Sequence, residues 1–216
     1  MLNTEKRHYH LEGMTKILGA QSADPKVRSA YIGKKAATLE KCQEEAAMLP
    51  EDVEKMNLSV FLRCDGALCL QDYVIKGFLK EALTTLMADV GVLNASSKVD
   101  NYVSISPAYL VFSRNGAPIS APDEIYERPL RAMTMQGPRV SVTASETIHP
   151  AWALDFDIEL LHNTGSPKSR ALTFEAIDAA MEYGQFKGLG QWRNAQNGRF
   201  TFTACDAKEG KSNENQ

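Results

Sequence analysis

Cysteine is scarce and unpatterned. The 216 residues hold only Cys42, Cys64, Cys69 and Cys205, and no CxxC or Cys/His ligand cluster accompanies them. That excludes a zinc ribbon and a disulfide-stapled scaffold, and leaves reduced, partly buried thiols as the plain reading. Long hydrophobic runs are missing too. Asp, Glu, Lys or Gly breaks every apolar stretch before the roughly 18 residues needed to span a bilayer, so no membrane partner is expected. The start, MLNTEKRHYH, lacks the apolar region of a secretory signal, and the expectation is a soluble, cytoplasmic protein. Bulk positive charge is also absent, the formal net charge being -3. This argues against a protein basic overall, although polyanion affinity follows the local distribution of charge.

Motifs for catalysis are lacking. There is no GxSxG, no HExxH, no GxxxxGK[ST] and no Cys–His motif, so no catalytic residue, metal ligand or cofactor is assigned. His8 and His10 share one face of a strand-like segment, but the sequence identifies no partners for them, and His149 and His162 are isolated. Asp155, Asp157 and Glu159 alternate along another strand, where a solvated sheet face explains them better than a cation site.

What is present is an ordinary globular composition, 44% hydrophobic and 24% charged, which excludes disorder. Arg7 to Leu18 reads as a first strand with a bulge at Gly13, and Pro25 to Leu49 turns helical. Leu58 to Gln71 reads as a hairpin across Asp65-Gly66. Tyr73 to Gly91 is a helix with Ile75, Leu79, Leu83, Leu86 and Val90 in register. Val103 to Phe112 and the RNGA turn make a second hairpin, and strand-like segments surround GPRVSVTASETI. In WALDFDIELL, Trp152, Leu154, Phe156, Ile158 and Leu160 face one way. Thr173 caps a helix that Gly184 stops, and a last strand carries Phe200 and Phe202. The predicted fold is α+β: a ferredoxin-like (RRM-like) βαββαβ core with extra hairpins and a helical insertion. It forms one domain over 1–205, with the insertion at about 25–56 and a flexible polar tail at 206–216.

Two acid-free basic stretches stand out. KGLGQWRNAQNGRF carries Lys187, Arg193 and Arg199 with Gly188, Gly190 and Gly198. Glycines let backbone amides approach a ligand, arginine forks match phosphate, and Trp192 offers a flat face to a base. Tight turns are the alternative use of those glycines. The end of the stretch, NGRFTFTA, echoes the aromatic strand on which RNA-recognition folds stack bases, as Phe alternation on a core strand also does. The second stretch, RPLRAMTMQGPRV, carries Arg128, Arg131 and Arg139, which a solvated strand edge also accounts for. A softer element is IKGFLKEAL, with Lys76 and Lys80 on one helical face.

These segments occur together in one family. IKGFLKEAL resembles the SLKGALR-type helix start of the RAMP superfamily, the RNA-binding subunits of CRISPR effector complexes. Arg139 through HPAWALDFDIELL is similar to that family's strand pair, and KGLGQWRNAQNGRFTF to its C-terminal glycine-rich loop. RPLRA…QGPRV with GLGQWRN looks like small bacteriophage and mobile-element members. The resemblance covers Leu58 to Thr203. It implies the ferredoxin-like fold and a grip on RNA phosphates, with Lys76, Gly77 and Lys80 at the helix start and Gly188, Gly190, Arg193, Gly198 and Arg199 in the loop. Trp192 and Asn194 lie inside the loop without being family signatures. Some family members cut RNA with an aspartate after the first strand. That region is the insertion here, and nuclease activity is not carried over.

The function expected is non-catalytic binding of single-stranded RNA by a protein that oligomerises along its ligand. The alternatives are a phage-encoded module that mimics or inhibits a host CRISPR subunit through a protein partner, and a single-stranded DNA-binding or annealing factor.

Overall fold

The computed structural model describes residues 3–23, 58–134, 137–162 and 171–206, with side chains 130–141 and 206 outside the description. The expected insertion and most of the polar tail lie outside the described residues. In chain order the strands are β1 (Thr4–Gly13), β2 (Ile17–Leu18), β3 (Gln21–Ser22), β4 (Leu58–Val60), β5 (Leu62–Cys64), β6 (Ala67–Gln71), β7 (Val103–Ser106), β8 (Tyr109–Val111), β9 (Ser113–Arg114), β10 (Ala117–Pro118), β11 (Glu124–Thr134), β12 (Gly137–Ile148), β13 (Ala153–Leu161) and β14 (Phe200–Asp206). The helices are α1 (Asp72–Thr85), α2 (Met87–Val90), α3 (Ala95–Tyr102), α4 (Phe174–Glu182) and α5 (Gly184–Lys187).

Strands β7, β13, β1 and β14 lie side by side, each antiparallel to its neighbour. With α1 between β1 and β7, and α4 between β13 and β14, this is the ferredoxin-like βαββαβ arrangement. The alternation along β1 and β13 explains the layers. Tyr9, Leu11, Leu154, Phe156, Ile158 and Leu160 are buried on one face, where they meet Ile75, Phe78, Leu79 and Leu83 of α1 and Ile177, Ala180 and Met181 of α4. Thr173 Oγ1 accepts from the Ala176 amide at 3.4 Å, capping α4 as its position predicts. Buried Tyr9 donates its hydroxyl to Asp178 at 2.6 Å, and burial together with that carboxylate raises the phenol's pKa. Arg7 joins the same carboxylate at 3.2 Å and lies over the Phe174 ring, so β1 and α4 are locked by polar as well as apolar contacts.

Around this core sit two smaller sheets. Strands β5, β6 and β8 form one, its hairpin turning through Asp65 and Gly66 at φ 49° and 79°, as the Asp-Gly pair predicts. In the other, β11 and β12 form a long hairpin that continues through β4 to β3, with β2 on β12. Glu146, buried on β12, holds that sheet to the β4–β5 link. It takes both Arg63 guanidinium nitrogens at 2.6 and 2.9 Å and the Phe61 amide at 2.8 Å. At the other edge β3 pairs with β4, and the Ala23 amide donates to the Leu58 carbonyl at 2.9 Å. Burial pushes the Cys69 thiol up to about 12, which makes it a poor nucleophile. No described helix is long and apolar enough to cross a membrane.

Several local expectations are corrected. Gly13 makes no bulge; it is a glycine because Trp152 lies against it, and a Cβ would fall within the indole. Pro107 divides the second hairpin, sending β7 to β13 and β8 to β6. Helix α4 ends just before Gly184 as expected, but Gly184 is not a terminal residue of the helical region. It opens one further turn, and the Phe200 ring occupies the space its side chain would take.

Replacing Gly13 with alanine should therefore force the fully buried Trp152 out of place. Overpacking of this kind costs about 1–3 kcal/mol, equivalent to roughly 2–12 °C in Tm for a chain of this size, read by thermal unfolding of Gly13→Ala beside the parent.

Candidate nucleic-acid interface

The glycine-rich loop is a hairpin with a buried neck and an exposed tip. In the neck, the Leu189 amide donates to the Gly198 carbonyl at 2.8 Å, and the Gly198 amide to the Lys16 carbonyl at 2.7 Å. Gly188 and Gly198 have φ of 77° and 72°, and a Cβ on either would strike the opposing backbone. Gly190, also left-handed at 77°, packs where a Cβ would come within 3.0 Å of the Leu18 carbonyl oxygen. The Gly188 amide is likewise spent, on the Gly184 carbonyl at 3.1 Å. Beside the two uses foreseen for these glycines, ligand approach and tight turns, Gly188 and Gly198 serve a third, close packing of one arm's backbone on the other.

At the tip, Trp192 at φ 53° enters one 3-10 turn, Arg193–Ala195, which Gln196 leaves at φ 63°. Asn197 Nδ2 donates to the Trp192 carbonyl at 3.1 Å. Thr15 donates its hydroxyl to the Gln196 carbonyl at 2.8 Å and accepts the Arg199 amide at 2.9 Å, tying the tip to the bend after β1. Beneath that bend, Trp152 donates its indole N–H to the Thr15 carbonyl at 2.8 Å.

The loop's cations meet helix α1. Arg193 Nη2 lies 2.6 Å from Glu81 Oε2. Lys187 reaches Asn194 Oδ1 at 3.0 Å and stands 4.0 Å from Glu81. Arg199 donates to the Gln185 carbonyl, and Lys80 pairs with Asp100 of α3. Lys76 is half-buried with no ion pair among the described residues, and Gly77 is exposed with open space where a side chain would project. The loop and helix α1, distant in sequence, are thus neighbours through Glu81, in the second half of that helix.

Arg128 joins the loop from a third direction. On β11 it lies with its guanidinium 4.3 Å over the Trp192 ring, and Tyr126, on the same face, sits 6.0 Å from that ring. Lys16 Nζ lies 3.5 Å over the Tyr126 ring and 3.4 Å from Glu124. Sequence reasoning missed Lys16 and Tyr126; the period-2 spacing of Tyr126 and Arg128 was the one available signal. Arg131 and Arg139 lie further along the hairpin, opposite Val140 and Ala132 in register, with side chains outside the described residues.

The aromatic echo in the last strand resolves the other way. Phe200 is fully buried and Phe202 stacks 6.1 Å from Tyr9, so both serve the core, while Thr201 and Thr203 face solvent. On the sheet's open face His8 Nδ1 lies 2.8 Å from Asp157 and His10 Nδ1 2.7 Å from Asp155, with Lys6 2.8 Å from Asp157. Burial pushes the Asp157 carboxyl up, but hydrogen bonds from Lys6 and His8 outweigh it and hold the pKa low. Among the described residues no three His, Cys, Asp or Glu side chains are grouped to hold a metal ion.

No family model matches the chain, and no curated protein is significantly similar to it. Among solved structures, one chain of a type IV-B CRISPR complex superposes with TM-score 0.51 at 10% identity, over 98% of this chain and 95% of that one. The likeness is one of fold. A chain of the type III-B Cmr-beta complex bound to cognate target RNA aligns at TM-score 0.46 and 10% identity. The alignment takes in 94% of this chain but only 61% of that longer one.

The strand that carries Arg128 is anchored just before its start. Asp123 takes Arg114 at 2.7 and 3.1 Å and the His149 amide at 2.7 Å. The Arg114 hydrogen bond, then that amide, overcome partial burial and draw the carboxyl down to about 2 from an ordinary 3.8. A depressed carboxylate stabilises the fold above its unfolded value and loses that contribution as it protonates. The advantage of the parent over Asp123→Asn should be complete above about pH 4 and fade as the pH falls through about 2, measured as paired Tm values across that range.

Proposed function

We propose that this chain is a non-catalytic, single-stranded RNA-binding protein of the RAMP type, which holds the phosphate backbone and lines up in copies along its ligand. The observation that carries the reading is the Arg193–Glu81 contact, which brings the loop's cations against α1, the helix that also bears Lys76 and Lys80. Lys76, Lys80, Lys187, Arg193 and Arg199 then supply charge from two segments to one surface. Gly188, Gly190 and Gly198 shape the loop, Gly77 leaves the helix surface open, and Asn194 orients Lys187. Arg128, Arg131 and Arg139 extend the positive track along the β11–β12 hairpin. Existing ion pairs do not oppose this role. Part-exposed pairs contribute only about 0–1 kcal/mol, so a phosphate can take the place of the Glu81 or Asp100 carboxylate. The fold shared over nearly the whole length of a chain in a type IV-B CRISPR complex supports a place in an assembly of that kind.

Phosphate gripping has a salt signature, because each neutralised phosphate releases counterions. With about three to five phosphates engaged on a single strand, affinity should fall roughly 20- to 100-fold between 50 and 200 mM salt, measured by fluorescence anisotropy with an unstructured RNA. Arg193→Ala and Arg199→Ala should each weaken binding across all sequences. A flat salt response, or full affinity in both variants, removes the loop from the interface. Tighter binding to DNA of the same sequence favours the annealing factor instead.

A further inference from the structure

Among the described residues Arg128 is a cation without a carboxylate. Its Nε and Nη1 are buried with no hydrogen-bond partner among the described residues, and burial lowers its pKa. The group it rests on is an aromatic face, the Trp192 ring at 4.3 Å. Tyr126 lies beside that indole with the ring planes 31° apart, and Lys16 lies over the Tyr126 ring. Three separate segments thereby gather two cations around two rings.

Core packing does not account for this cluster. Trp192 keeps 40% of its surface exposed, and its backbone occupies the left-handed region that non-glycine residues avoid. Its position is fixed from several sides: Asn197 holds its carbonyl, Glu81 holds the next residue, and Thr15 holds the carbonyl of Gln196. A ring held open at such a cost is pre-organised for a ligand, since little ordering remains when one arrives.

We propose that the exposed surface of Trp192 is a stacking platform for one unpaired nucleobase, with Arg128 and Lys16 placing positive charge for the flanking phosphates. The proposal rests on the RNA-binding reading above and adds a contact to the base where that reading has contacts to the backbone alone. Every base has a π-face, so the platform tolerates any sequence. A base already stacked within a duplex is not available to it, so it favours single strands.

The test uses the whole chain with two probes, an oligouridine of about twelve nucleotides and an abasic strand of the same length and backbone. The protein has two tryptophans and Trp152 is fully buried, so ligand quenching of the emission reports Trp192. Oligouridine should quench it and the abasic strand should not. Trp192→Ala should weaken oligouridine binding roughly 5- to 100-fold and leave abasic binding unchanged, and Trp192→Phe, which keeps a flat ring, should recover most of the loss. Equal weakening of both strands would mean that Trp192 only shapes the loop, and no weakening of either would mean that it is idle. Each of these overturns the platform while the phosphate reading stands. If the parent chain bound neither strand, both readings would fall together.

Discussion

The contact between Trp152 and Gly13 is the constraint on which the interface depends. A fully buried indole lies flat against a residue without a side chain, and its N–H fixes the Thr15 carbonyl. With that bend fixed, the Met14 amide reaches the Arg199 carbonyl at 2.7 Å, Thr15 bridges Gln196 and Arg199, and the Lys16 carbonyl receives the Gly198 amide. The exposed tip that bears Trp192 and Arg193 is in this way tethered to the most deeply buried part of the molecule. A loop so fastened can present side chains in a defined geometry, which a freely moving loop cannot.

Much of the architecture was legible because it rests on local periodicity. The alternation in WALDFDIELL and the threes and fours of Ile75, Leu79 and Leu83 report directly which face is buried. Asp65-Gly66 names its own turn. What escaped was whatever depends on a partner far along the chain. Gly13 and Gly184 look like a bulge and a stop signal, and only the rings of Trp152 and Phe200 reveal why they lack side chains. The basic and glycine-bearing segments were visible as candidates. That Arg193 would be paired with Glu81, or that Lys16 and Tyr126 would gather beside Trp192, is a consequence of strand order that no local pattern encodes.

Charge is arranged differently on the two sides of the main sheet. The open face carries Lys6, His8 and His10 set against Asp155 and Asp157, a zipper in which each cationic or imidazole group already has a carboxylate. The aromatics of β14 that could stack bases in an RNA-recognition fold are turned inward to the core. The surface proposed for the ligand lies instead beside the glycine loop, where it meets α1 and β11. The same core thus supports a mode of recognition that leaves its broad sheet face out of the contact.

The pairing of β3 with β4, closed by the Ala23–Leu58 hydrogen bond, has an evolutionary consequence. That pairing sets Ala23 and Leu58 side by side, so the sheet itself holds together the two ends that residues 24–57 join. Loop-closure entropy grows only with the logarithm of length, about 0.6 kcal/mol per doubling. Segments of quite different size can therefore be exchanged at this point without disturbing the register of the sheet. Two rates of change can thus coexist in one chain, with the paired strands fixed in register while the length between them varies.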